Sequence, residues 1–131
     1  MSVAEVGPQG LARALDAGES GLFRSRPPVR RLLRLGLDRG WRVLHLDTTG
    51  VTDKAGLLAA AERDLELPDW FGHNWDALAD SLSDLVDDRG VLLVWSGDAE
   101  LDPDTRRTTR EILAERAGEA RGAFVAVLAS D

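Results

Sequence analysis

The chain has no cysteine. Disulfides and thiolate metal sites are therefore excluded, the fold must hold by packing alone, and a reducing compartment is compatible with it. Long apolar runs are also missing. No stretch approaches the roughly 18 to 20 apolar residues that a membrane span needs, and MSVAEVGPQG at the N-terminus lacks a charged segment followed by an apolar one. The reading is a soluble, cytoplasmic protein with no membrane partner. Lysine is nearly absent too: Lys54 stands alone among many arginines, a bias of codon usage to which no role is assigned. Most telling is a local absence, because between Arg63 and Arg89 there is neither lysine nor arginine.

That interval is filled with acids: Asp64, Glu66, Asp69, Asp76, Asp80, Asp84, Asp87 and Asp88. The net charge of −7 is split along the chain, with +3 over residues 1–40 and −10 over residues 41–131. An acidic surface of this kind attracts cationic partners and repels nucleic acid, and its field reaches roughly 10 Å at 0.1 M salt. Acidity also serves solubility, so charge alone names no function. At 131 residues the chain fits one domain able to bury roughly two-thirds of its unfolded surface.

Turn residues and hydrophobic periodicity divide the chain into alternating elements. QGLARALDAG (9–18) reads as a short helix closed by Gly18, GLFRS (21–25) as a short strand, and Pro27-Pro28 as a break. Val29, Leu32, Leu33 and Leu37 then recur at helical spacing among Arg30, Arg31 and Arg34, a basic amphipathic helix taken as a solvated face over the core. WRVLHLD (41–47) is a strand, and Thr52 or Asp53 caps a helix from about Lys54 to Leu65. VLLVW (91–95) has the unbroken apolar character of a strand buried on both faces. Asp102-Pro103 opens a helix ending near Gly122, and FVAVL (124–128) is the last strand. Strands alternating with helices predict an α/β fold of parallel βαβ units.

Between these elements lies LPDWFGHNWDALADSLSDL (67–85). Pro68 breaks a helix, Trp70, Phe71 and Gly72 form a loop, and Asn74 occupies the N-cap of a new helix expected to end near Asp88-Arg89-Gly90. Trp75, Leu78, Leu82 and Leu85 fall on one face of that helix, while Asp76, Asp80, Asp84 and Asp87 form a row on another. Aspartates four apart weaken a helix by a few tenths of a kcal/mol per pair, so local stability did not choose this pattern.

LPDWFGHNWDALADSL resembles the signature of the barstar family, small intracellular inhibitors of secreted ribonucleases. The signature runs Leu-Pro-acid, two aromatics, Gly, any residue, Asn, an apolar residue, Asp-Ala-Leu, any residue, Asp, and every fixed position is filled. The resemblance implies a small parallel β-sheet packed by helices over residues 41–131, with residues 1–40 as an extension adding a short strand and a helix to the sheet edge or its open face. It implies a one-to-one complex with a small basic ribonuclease, whose active site receives the acidic helix in place of substrate phosphates. Asp80 matches the aspartate at the centre of that contact, Asp76 the one a turn before it, Trp70 and Phe71 the loop aromatics, and Gly72 and Asn74 loop positions that touch the enzyme. The chain departs from the family at Ala79, where relatives carry a large aromatic, and at Ala117 and Arg121, where an acid is common.

Most of these residues also have a plainer reading, as Trp70 does if it folds back onto the core. Asp76 suits the start of a helix dipole, Phe71 and Trp75 suit a core, and Gly72 suits a backbone angle that other residues resist. Asp80, in mid-helix, has no such explanation. An enzymatic reading rests on His73, Asp76 and Asp80, an H-x2-D-x3-D run able to ligate a hard divalent metal or to pair carboxylates for acid-base work. Two helix carboxylates without a second cluster rarely complete a site, so neither metal, cofactor nor catalysis is assigned. The remaining alternative keeps the fold without the inhibition: an interaction module for another toxin or a cationic regulator.

Overall fold

The computed structural model describes residues 3–68 and 71–129. Five parallel strands, β1 (Ala4–Glu5), β2 (Gly21–Ser25), β3 (Arg42–Asp47), β4 (Val91–Ser96) and β5 (Phe124–Ala129), form one sheet in the order β1-β2-β5-β4-β3. Parallel neighbours need a crossover, and helices α1 (Pro8–Ala17), α2 (Val29–Leu37), α3 (Lys54–Asp64), α4 (Trp75–Ser83) and α5 (Pro103–Gly118) lie in the connections. The sheet is wider than the three strands read within residues 41–131 because residues 1–40 add β1 and β2 beside β5. The same residues also cover a face, so the extension serves both the edge and the open face.

Successive side chains of a strand point to opposite faces, and the two central strands are apolar on both. Leu44, Leu46, Val91, Leu93, Trp95, Phe124, Ala126 and Leu128 pack with α3, α4 and α5 through Leu57, Leu58, Leu65, Leu78, Leu82, Ile112 and Leu113. Leu92, Val94, Val125 and Val127 pack on the other side with Leu11 and Leu15 of α1 and Leu32 of α2. At Gly36 a Cβ atom would come within 2.7 Å of Leu92 and 2.8 Å of Val43, so only glycine lets α2 lie this close to the sheet. The arginines of α2 named above are exposed, as a solvated face requires.

The capping residues act as their chemistry predicts. Asp53, rather than Thr52, accepts the Gly56 N–H at 2.9 Å, and Asp102 accepts the Thr105 N–H at 2.8 Å ahead of Pro103. Gly18 closes α1 in the left-handed conformation at φ 68°. Two boundaries differ from the sequence reading. Helix α5 stops at Gly118, and α4 stops at Ser83 instead of running on toward residues 88–90. Asp84 is the C-cap of α4, at the negative end of the helix dipole where a carboxylate is unfavourable, and the chain beyond it turns in to bury Leu85. Asp87 therefore lies beyond the helix. No helix among the described residues is long and apolar enough to cross a membrane.

Candidate functional site

The N-cap of α4 organises the loop before it. Asn74 accepts the Ala77 N–H at 2.7 Å and donates its amide to the Gly72 carbonyl at 3.2 Å, so one side chain fixes both the first helical turn and the last loop residues. The left-handed residue here is His73, at φ 48°, and not Gly72, whose φ is outside that region. Gly72 earns its place by space instead. A Cβ there would lie 3.2 Å from the Asn74 amide nitrogen and 3.6 Å from Ala77, crowding the cap.

His73 holds its backbone angle through two contacts. Its Nε2 lies 2.8 Å from Glu62 of α3, and its ring centroid is 5.2 Å from that of Phe71. Phe71 is itself buried, at 6% exposure, in the core beneath α3 and α4. The resemblance places Phe71 among the partner-facing residues, and its core reading is the one its burial favours: the ring anchors the loop and has little exposed surface. Trp75 is half-buried against the same core, and Lys54 at the start of α3 sits over its ring at 5.4 Å. Trp70 and Asp69, both in the signature, lie outside the described residues.

With its apolar face committed to Leu78 and Leu82, α4 presents Asp76 and Asp80 to solvent, and the C-cap Asp84 is exposed as well. Neither Asp76 nor Asp80 forms an ion pair with another described residue, whereas Asp84 lies 4.0 Å from Arg121. Arg121, one of the departures from the signature, thus draws the end of the acidic row toward the body of the protein. Ala79 is half-buried against the core, and so is Ala117. His73, Asp76 and Asp80 are not gathered into a cluster, and among the described residues no group of three or more His, Asp and Glu side chains is placed to hold a metal ion.

Supporting contacts reach the site from α3 and β3. Asp64, the last residue of α3, accepts the Asp47 N–H at 2.8 Å and pairs with Arg63 at 2.7 Å, joining the end of β3 to the end of the helix that feeds the loop. Burial works to raise the pKa of Asp64, but the Arg63 guanidinium and the Asp47 N–H outweigh it and hold the carboxyl below its ordinary value. Asp47 is lowered in the same direction by hydrogen bonds from the Thr49 hydroxyl and N–H. His45, half-buried on β3, lies with Nε2 2.7 Å from the Ser96 hydroxyl of the neighbouring strand, a local pairing away from the acidic row.

One residue that sequence reasoning missed lies behind α4. Arg116 of α5 is 1% exposed and donates to the Leu82 carbonyl at 2.7 Å, the Leu85 carbonyl at 2.7 Å and the Arg121 carbonyl at 3.3 Å. The signal was available, since Arg116 follows Ile112 by four residues and Leu113 by three and so falls on the apolar stripe of its helix.

A comparison with curated proteins finds no match. The family model described as Barstar (barnase inhibitor) matches residues 41–129, which hold the loop, α4 and the supporting elements β3, α3, β4, α5 and β5, and leave out β1, β2, α1 and α2. With the signature filled, the parallel sheet in place and the acidic helix turned outward, this chain belongs to the barstar family.

Proposed function

We propose that this protein is an intracellular inhibitor of a secreted ribonuclease, which it blocks by placing the outer face of α4 in the enzyme's active site. Membership of a family of barnase-type inhibitors supports ribonuclease inhibition in general terms. The observation that carries the finer reading is the exposure of Asp76 and Asp80 on a helix whose other face is locked in the core, with no ion pair to a described residue. Their charge is thus available to a partner.

A ribonuclease active site is built to hold phosphates with cationic side chains. A carboxylate desolvated among those cations gains charge-assisted hydrogen bonds, the same interaction a phosphate makes, but offers no bond to cleave. Inhibition by occlusion follows, with Asp80 at the centre, Asp76 beside it, Asn74 and Gly72 at the loop edge, and Trp70 as the aromatic that excludes water. Phe71 acts from the core. A row of acids around this face would also speed encounter with a small basic enzyme in a one-to-one complex. Cytoplasmic residence fits a protein that guards its own cell against such an enzyme.

The test is calorimetric titration with a panel of small secreted microbial ribonucleases at low and physiological salt, with RNA cleavage assayed alongside. Stoichiometric binding that weakens with salt and abolishes cleavage is the expected result. Binding without loss of cleavage would favour an interaction module for another cationic partner, and silence across the panel would favour a different toxin.

A further inference from the structure

The last helix contributes no acid at Ala117, and Arg121 just beyond its end lies 4.0 Å from Asp84, so this part of the chain is poorly equipped to touch a cationic partner itself. It does something else for the acidic helix. The final carbonyls of an α-helix lack intrahelical donors and carry the negative end of its dipole. In α4 that end is made worse by Asp80 and Asp84, and the last turn contains no basic residue of its own. Arg116 supplies the missing donors from α5, with Nε on the Leu82 carbonyl and Nη2 on that of Leu85 just past the cap. Its guanidinium carbon lies 4.7 Å above the Phe124 ring, a cation–π contact that helps hold the group in place. A second tie runs parallel to it, as the Ser83 hydroxyl donates to Glu119 at 2.7 Å.

We infer that Arg116 is a positioning residue of the inhibitory surface: it fastens the C-terminal end of α4 so that Asp76 and Asp80 meet the partner already fixed in place. The inference rests on the proposed function for its effect on binding, but the fastening is a property of the free protein. A buried guanidinium is costly, and burial pushes its pKa down from the ordinary arginine value, with Glu119 partly offsetting the effect. Nη1 has no hydrogen-bond partner among the described residues. If packing were its only task, an apolar side chain of similar length would serve better. What such a side chain cannot do is donate to two carbonyls at a helix end. Preorganisation of this kind lowers the ordering cost of association and shows in the dissociation rate, while the association rate is set by charges that Arg116 does not alter at the surface.

The test compares Arg116→Met and Arg116→Lys with Thr109→Ala, which removes a buried hydroxyl bonded to the Thr105 carbonyl in the same helix and leaves the contacts to α4 intact. Amide hydrogen exchange of the free proteins is read first. Arg116→Met is expected to speed exchange through the last turn of α4 by tenfold or more relative to Thr109→Ala, with Arg116→Lys between them. Kinetics with a ribonuclease bound by the wild type are read second: dissociation should quicken at least tenfold in Arg116→Met at unchanged stoichiometry and nearly unchanged association rate. A role limited to global stability would lower the active fraction, and hence the stoichiometry, without changing the dissociation of molecules that bind. Equal exchange in α4 for Arg116→Met and Thr109→Ala would overturn the fastening, and an unaltered dissociation rate would overturn its link to binding. Should the wild type bind none of the ribonucleases, the proposed function would fall and the exchange comparison would still decide the fastening.

Discussion

At Asp80 a single substitution separates stability from recognition. Alanine there raises helix propensity and removes repulsion with Asp76 and Asp84, so Asp80→Ala should leave stability unchanged or raise it by a few tenths of a kcal/mol, read from a thermal melt. If Asp80 stands at the centre of the contact, the same change should weaken ribonuclease binding by at least about 2 kcal/mol, measured by titration. A variant that binds as tightly as the wild type would remove Asp80 from the interface. The prominence of Asp80 is legible in the sequence because nothing local favours an aspartate in mid-helix. Phe71 is less so: the signature sets it toward a partner while its bulk suits a core, and its packing with residues of α3 and α4 favours the core. His73 was hidden for a related reason. Its left-handed backbone would be assigned to the adjacent glycine by conformational preference alone, yet its ties to Glu62 and Phe71 hold the strained residue one position later.

For the elements, the start of α4 was readable and its end was not. An asparagine ahead of an apolar periodicity is a local signal, and Asn74 caps the helix as that signal predicts. Asn74→Ala should therefore cost about 1 kcal/mol of stability, seen by urea denaturation, and should free the loop as well because the bond to the Gly72 carbonyl goes with it. The end of the helix depends on a residue thirty-one positions beyond Leu85 in sequence, since Arg116 takes the carbonyls that another turn of α4 would have used. Periodicity past Ser83 persists in Leu85 and Asp87, but a nonlocal donor ends the helix first. Helix α2 depends on its surroundings in another way. Gly36→Ala would improve helix propensity in isolation, yet it should destabilise the protein by about 1–3 kcal/mol because the added methyl group meets Leu92 and Val43. A thermal melt that rises would show that α2 can shift outward without loss.

For the whole molecule, the sequence showed the strand-helix alternation but left open how residues 1–40 join it, because edge and face can both be reached from the same short strand and helix. They occupy both. We propose that residues 1–40 are integral to the packing of the barstar-like domain at 41–131: without them Leu92, Val94, Val125 and Val127 would lose their cover. Leu11, Leu15 and Leu32 alone contribute about 1.5–3 kcal/mol each, a sizeable part of the roughly 5–15 kcal/mol that holds a domain together. A chain beginning at residue 41 should accordingly lose its cooperative unfolding transition by circular dichroism. A sharp transition would show that the extension is dispensable. Acid should also weaken the whole fold. The folded pKa values of Asp47 and Asp64 lie below the ordinary 3.8, so their contribution is complete above that value and is lost as pH falls through the lowered ones. Asp64→Asn should reduce stability at pH 7 and flatten its decline below about pH 4. The strand order carries one more consequence, for the timing of synthesis. Among the described residues strand β2 pairs with β1 and β5 alone, and the Ser20 hydroxyl accepts the Phe124 N–H across 104 residues. A ribosome releases these partners many seconds apart, at about 5–20 residues per second. Until β5 emerges, α1 and α2 have no finished sheet to cover, and the N-terminal elements wait for the last strand before they can pack.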